Sequence, residues 1–216
     1  MMFKAVCFDF DYTLGDCTDS IVAGFVHGLT GLGFPAPDRE TVRGTIGYML
    51  EDSYTMLTGD RDPDRQARFR ALFTEVARER QIRETILFPG APELLRGLRT
   101  RGVRTAIVST KRGDTIELIL ESHGLRDAVE MVVGSADVKR PKPDPEGLRT
   151  VMARLGVEPG ETLFCGDTVL DAGAARNAGC HFAAVLNGTT PEADFAPFPT
   201  DHIAPDLWDL AEWLGV

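Results

Sequence analysis

Cysteine is scarce in this 216-residue chain: Cys7, Cys17, Cys165 and Cys180 are the whole complement, with no C-x-x-C pair. That excludes a disulfide-stapled scaffold and a thiolate metal cluster of the usual spacing. Cys7 and Cys165 lie inside apolar runs, where a thiol behaves as a small hydrophobe. Histidine is equally sparse, and His27, His123, His181 and His202 show no ligand spacing, which argues against a zinc site. No run approaches the roughly 18 apolar residues of a membrane span, and the opening MMFKAVCF is too short for a secretory signal. Positive charge is also in deficit, 23 Lys and Arg against 33 Asp and Glu, for a net charge of −10. Nucleic-acid backbones and anionic membranes reward a basic surface, so neither is expected as a partner. A small anionic substrate remains open, because local charge can oppose the global sign. A reduced, cytoplasmic setting is expected, and nothing in the pattern specifies an oligomeric state.

What is present is an alternation. Short apolar runs at 3–10, 103–109, 129–134, 162–167 and 181–188 read as buried strands. Amphipathic segments at 91–101, 111–123, 145–155 and 171–179 lie between the later ones, several closing on glycine as helix C-termini do. Strand and helix in alternation specify an α/β fold: a Rossmann-like parallel sheet with helices on both faces. Residues 16–84 break the rhythm, with helical runs at 19–32, 39–57 and 63–82 and no strand. The expected organisation is a core of 1–15 and 85–216 interrupted by an all-helical inserted subdomain at 16–84. The stretch GDRDPDRQARFR (59–70) reads as a polar turn feeding a solvated helix.

In an open parallel sheet, ligands bind beyond the carboxyl ends of the strands. The first strand ends in FDFDYTL, which sets Asp9 and Asp11 two residues apart, able to face one small volume. The second ends in Ser109, Thr110 and Lys111; Lys139 and Lys142 follow the third; Asp167 and Asp171 follow the fourth. Each has a plainer reading alone. Aspartate and serine cap helices, lysine is usually solvated, and RPKPDP could be a stiff connector. Asp9 resists that reading, since an acid inside AVCFDF is costly unless a cation compensates it. Together, clustered carboxylates call for a divalent cation, and hard oxygen ligands favour magnesium. Such an ion, a lysine and a hydroxyl beside a carboxylate make a phosphoryl-transfer site. One aspartate can attack phosphorus while its neighbour shuttles the proton.

Over nearly its whole length the sequence resembles the haloacid dehalogenase superfamily, in the phosphoglycolate phosphatase-like branch. FDFDYTLGD matches the D-x-D-x-T-L motif, IVSTK the strand ending in Ser or Thr, KPDP the lysine motif, and GDTVLDAGAARNAG the G-D-x-x-x-D motif. The resemblance implies that Asp9 is the nucleophile and a metal ligand. It makes Asp11 the general acid and base, with its main-chain carbonyl on the metal, and gives Ser109 a hydrogen bond to the transferring phosphoryl group. Lys142 would pair with phosphate and nucleophile, Asp167 would complete the Mg²⁺ ligands, and Asp171 would support the metal or orient neighbours. It further implies a helical cap and a small phosphorylated metabolite as substrate. A dehalogenase would lack Asp11; a sugar phosphomutase or a pyrophosphatase would keep the same core, and an inactive binding module fits the intact motifs poorly. Tyr12 departs from the pattern, where glycine is usual, and bears on substrate choice. Within the insert, GTIGYMLEDS (44–53) and Arg43 are candidates for the leaving group, the plainer reading being a helix with Tyr48, Met49 and Leu50 in its own core.

Overall fold

Runs such as AVCF, RTAIV and TLFCG have apolar residues at consecutive positions, the signature of strands covered on both faces. The computed structural model describes residues 3–216. Its strands are β1 Ala5–Phe8, β2 Gly15–Asp16, β3 Ile86–Leu87, β4 Arg104–Val108, β5 Met131–Val133, β6 Thr162–Gly166, β7 His181–Val185 and β8 His202–Ala204. The helices are α1 Thr18–Gly31, α2 Arg39–Arg43, α3 Leu50–Thr58, α4 Pro63–Glu84, α5 Ala91–Thr100, α6 Gly113–Ser122, α7 Glu146–Leu155, α8 Val169–Ala178 and α9 Leu207–Leu214. The chain divides into two compact units, one of Met1–Asp16 with Leu87–Val216, the other of Cys17–Ile86.

The first unit is built on a six-stranded sheet in the order β5-β4-β1-β6-β7-β8, every neighbouring pair parallel. β1 is central, with Phe8 opposite Ile107 of β4 and Cys165 of β6. The chain runs outward from β1 to β5, then returns to β6 and proceeds to the other edge. That reversal leaves a crevice at the carboxyl ends of β4, β1 and β6. Phe164, Phe182, Val108, Val151 and Leu148 fill one face of the core. Cys7 and Cys165 are fully buried and burial pushes both thiols up, so they act as packing groups. β2 and β3 pair as a separate two-stranded ribbon.

The second unit is helical. Phe25, Tyr54, Phe69 and Phe73 form its aromatic core, with Phe69 5.3 Å from Phe25 and 5.0 Å from Tyr54, centroid to centroid. Gly28 lets α1 approach α4: a Cβ there would meet the Phe69 ring at 2.6 Å. Asp62 caps α4 by accepting from the amides of Asp64 and Arg65, with Pro63 in the first turn, as the polar run at 59–70 foretells. One expectation is corrected. The helix expected over 39–57 is two helices, because Gly47 adopts φ 106°, outside any helical conformation. Tyr48 is consequently exposed and Met49 and Leu50 only partly covered, so they do not form a helix core.

Candidate active site

Beyond Phe8 the chain stays extended for one residue, and the Asp9 amide donates to the Cys165 carbonyl at 2.9 Å. It then turns tightly: the Phe10 carbonyl accepts from the amides of Thr13, Leu14 and Gly15. Tyr12 sits within this turn at φ 60°, the one non-glycine residue with positive φ among the described residues, and is buried. The backbone there does demand the left-handed region, which costs a bulky residue roughly 1–2 kcal/mol.

The turn brings its two aspartates to different cations. Lys142 Nζ lies 2.9 Å from Asp9 Oδ2 and 2.6 Å from Asp171 Oδ1, with all three side chains almost fully buried. Asp171 is held from its other side, since Oδ2 accepts from the Thr168 amide at 3.0 Å and the Thr168 hydroxyl at 2.6 Å. Thr168 is also the N-cap of α8, so one carboxylate joins the helix start to the buried lysine. Asp167 Oδ1 accepts from the Thr13 hydroxyl at 3.0 Å. Asp11 Oδ2 faces Lys111 Nζ at 3.0 Å. Ser109 follows directly on β4, its amide donating to the Val133 carbonyl, and its hydroxyl oxygen accepts from the Lys111 amide at 3.3 Å.

Three carboxylates share one ammonium here. Oxygens of Asp9, Asp167 and Asp171 lie within 4.8 Å of one another, all buried. Burial, and next the charges of Asp171 and Asp9, push the Asp167 carboxyl well above the ordinary carboxylate range. Burial likewise raises Asp171, although Lys142 opposes it. For Lys142, burial alone would lower the pKa, but Asp171 and Asp9 outweigh it and keep the ammonium charged. Asp9 Oδ1 and Asp11 Oδ1 are buried without a hydrogen-bond partner. An orphaned carboxylate oxygen beside two further buried acids fits a hard divalent cation. The surroundings leave no slack: a Cβ on Gly188 would meet Asp167 Oδ2 at 2.1 Å, so only glycine fits.

Within the parallel-sheet unit the structure brings Asp9, Lys142, Asp167 and Asp171 together, while Asp11 and Ser109 are each joined to Lys111. The carboxylate of Asp171, rather than that of Asp11, joins Asp9 and Asp167 in the triad, and both its oxygens are already engaged by Lys142 and Thr168. Arg43 and 44–53 belong to the helical unit, where Arg43 donates to Glu40 at 2.8 Å. Sequence reasoning gave no part to Thr13 or Lys111. Strand register held the signal for Lys111, because Phe8 pairs with Ile107 and both chains then run on toward the same edge of the sheet.

The model of the haloacid dehalogenase-like hydrolases matches residues 6–185. A phosphoglycolate phosphatase from Nitrosospira multiformis is 33% identical over 97% of this chain and 94% of its own. The pyrophosphatase PpaX of Bacillus velezensis is 30% identical over 98% of this chain and 96% of its own. A solved structure of a haloacid dehalogenase-like hydrolase from Bacteroides fragilis superposes with a TM-score of 0.93 at 37% identity, covering 96% of this chain and 99% of the other. With the family match running from β1 through β7 and relatives aligned nearly end to end, this chain belongs to the haloacid dehalogenase-like hydrolases.

Proposed function

We propose that this phosphatase hydrolyses a small phosphate monoester by way of an aspartyl-phosphate on Asp9, with Mg²⁺ as its cofactor. The observation that carries the reading is the Lys142 ammonium bound to Asp9 Oδ2 while Asp9 Oδ1 stays buried and unpartnered. The lysine offsets the repulsion between the Asp9 carboxylate and an anionic phosphate, so that the carboxylate can attack phosphorus. Asp9, Asp167 and the main-chain carbonyl of Asp11 would hold the metal, with Asp171 keeping Lys142 in place. Bound there, Mg²⁺ supplies positive charge to the transferring phosphoryl oxygens. Asp11 gives a proton to the leaving oxygen and later takes one from the water that cleaves the aspartyl-phosphate. The Ser109 hydroxyl donates to a phosphoryl oxygen. The helical unit would serve as the cap that restricts the substrate to small metabolites, with Arg43 a cation for an anionic leaving group.

A second substrate is favoured by a specific observation: PpaX, named a pyrophosphatase, matches 98% of this chain. The test is to strip the protein with EDTA, restore Mg²⁺, and compare kcat/KM for phosphoglycolate, pyrophosphate, sugar phosphates and a phosphopeptide. Activity is expected only with the metal restored and highest on one of the first two substrates. Full turnover without metal would overturn the cofactor assignment, and preference for the phosphopeptide would overturn the substrate class.

A further inference from the structure

We infer that Lys111 is the positioning residue for Asp11, fixing which carboxylate oxygen exchanges the proton with the leaving group. This rests on the reading above, in which Asp11 is acid and base. Lys111 stands two residues beyond Ser109, and its Nζ lies 3.0 Å from Asp11 Oδ2, with side chains 6% and 12% exposed. Its own amide donates to Ser109 Oγ at 3.3 Å, which ties the backbone at this point to the end of β4. On the other side of the carboxylate, Asp11 Oδ1 is buried with no hydrogen-bond partner. Ordering and burying a lysine costs it most of its rotamer freedom, and a solvated surface pair would not require it.

The terminal torsion of aspartate is broad and roughly two-fold, so an untethered Asp11 could present either oxygen to the leaving group. An ammonium carries three donors and no acceptor. Facing Oδ2, it fixes that oxygen in place and leaves Oδ1, which has no hydrogen-bond partner, for the exchange with the leaving group. When the phosphorus–oxygen bond breaks, the Oδ1 proton passes to the departing oxygen and Asp11 becomes a carboxylate. When water attacks the aspartyl-phosphate, it gives a proton back to Oδ1, which restores the starting state. Lys111 touches neither reacting atom; it sets the orientation of the group that does.

The experiment compares kcat/KM, which reports phosphoryl transfer to Asp9, for an alkyl phosphate and for 2,4-dinitrophenyl phosphate, whose leaving oxygen needs no proton. Lys111→Met should lose about 10²-fold on the alkyl ester, the scale of a misplaced reacting group, and far less on the aryl ester. Lys111→Arg should recover part of the alkyl activity. Lys111→Gln, a polar neutral replacement, provides the same comparison if the methionine variant does not fold. Equal losses on both esters would overturn the inference, because a merely structural lysine does not distinguish leaving groups. Asp11→Asn is measured alongside and should show the same contrast, larger. If Asp11→Asn shows no contrast, the acid–base reading itself fails. If Asp11→Asn shows it and neither neutral lysine variant does, only the positioning role fails.

Discussion

In the helical unit the buried polar residues are all uncharged: Thr18, Ser20, Thr45, Ser53, Gln81 and Thr85. The parallel-sheet unit buries uncharged groups too, but with them Asp9, Lys142, Asp167 and Asp171. Ion pairs of the helical unit, such as Arg80 with Glu84 and Arg83 with Glu79, lie at the surface, where solvent screens them. Burying three acids against one ammonium is unfavourable for folding, and an apolar core of equal volume would be more stable. The two units thus separate two tasks. One holds itself together by apolar packing around an aromatic cluster, and the other gives up stability to keep charge dry where phosphate chemistry needs it.

Removing the charge that does the chemistry should give the largest effect. Asp9→Asn is expected to abolish turnover, since a neutral amide is a poor nucleophile, while the fold persists. Near-normal kcat in that variant, purified free of contaminating phosphatases, would erase the distinction between the units. A comparable injury to the helical unit should instead appear as lost stability. Phe69→Ala empties a fully buried site between Phe25 and Tyr54 and should cost about 3–5 kcal/mol, read as a lowered urea midpoint. The folded fraction should still hydrolyse p-nitrophenyl phosphate; inactivity at full folding would break the comparison from the other side.

Protons and metal sharpen it further. Asp167 and Asp171 titrate above their ordinary range when folded, so between the unfolded and folded values the native chain binds more protons than the unfolded one. Stability of the metal-free protein should therefore fall as pH rises through that window. If Mg²⁺ binds there as proposed, it takes the place of those protons, and at about 100 times its dissociation constant should add about 2.7 kcal/mol. Its effect on Tm should grow as pH rises through the window in which the raised carboxyls would otherwise lose their protons. A metal-induced gain that shrank with rising pH would contradict the assignment. The smallest effect should come from Arg80→Ala, which deletes a half-exposed i,i+4 pair in α4 and should cost only about 0.3–0.5 kcal/mol in urea unfolding.

The sheet was legible where its strands are apolar and bounded by turn residues. β8 was not, because His202–Ala204 is three residues long at the sheet edge between Asp201 and Pro205, with little hydrophobic signal. α9, although apolar, is only eight residues long, and β2 and β3 have two residues each. The break between α2 and α3 was readable in principle from Gly44 and Gly47, but a glycine inside a helical run is tolerated often enough that neither forces a break. In the site, the acids, Ser109 and Lys142 stand in motifs of local spacing. The pairings of Thr13 with Asp167 and Lys111 with Asp11 link residues far apart in sequence, and only the sheet order brings them together.

The position of β1 at the centre of the sheet also sets a timetable for synthesis. Ala5 pairs with Arg104 on one side and Thr162 on the other, so the central strand emerges from the ribosome long before either neighbour. At about 5–20 residues per second, roughly 5–20 s separate β1 from β4, and longer separates it from β6. During that interval the whole helical unit, Cys17–Ile86, has been made and can complete its own aromatic core. The strand that leads into Asp9 therefore waits unpaired, tethered to a folded neighbour, and Asp9 is the first site residue to be made and among the last to be enclosed.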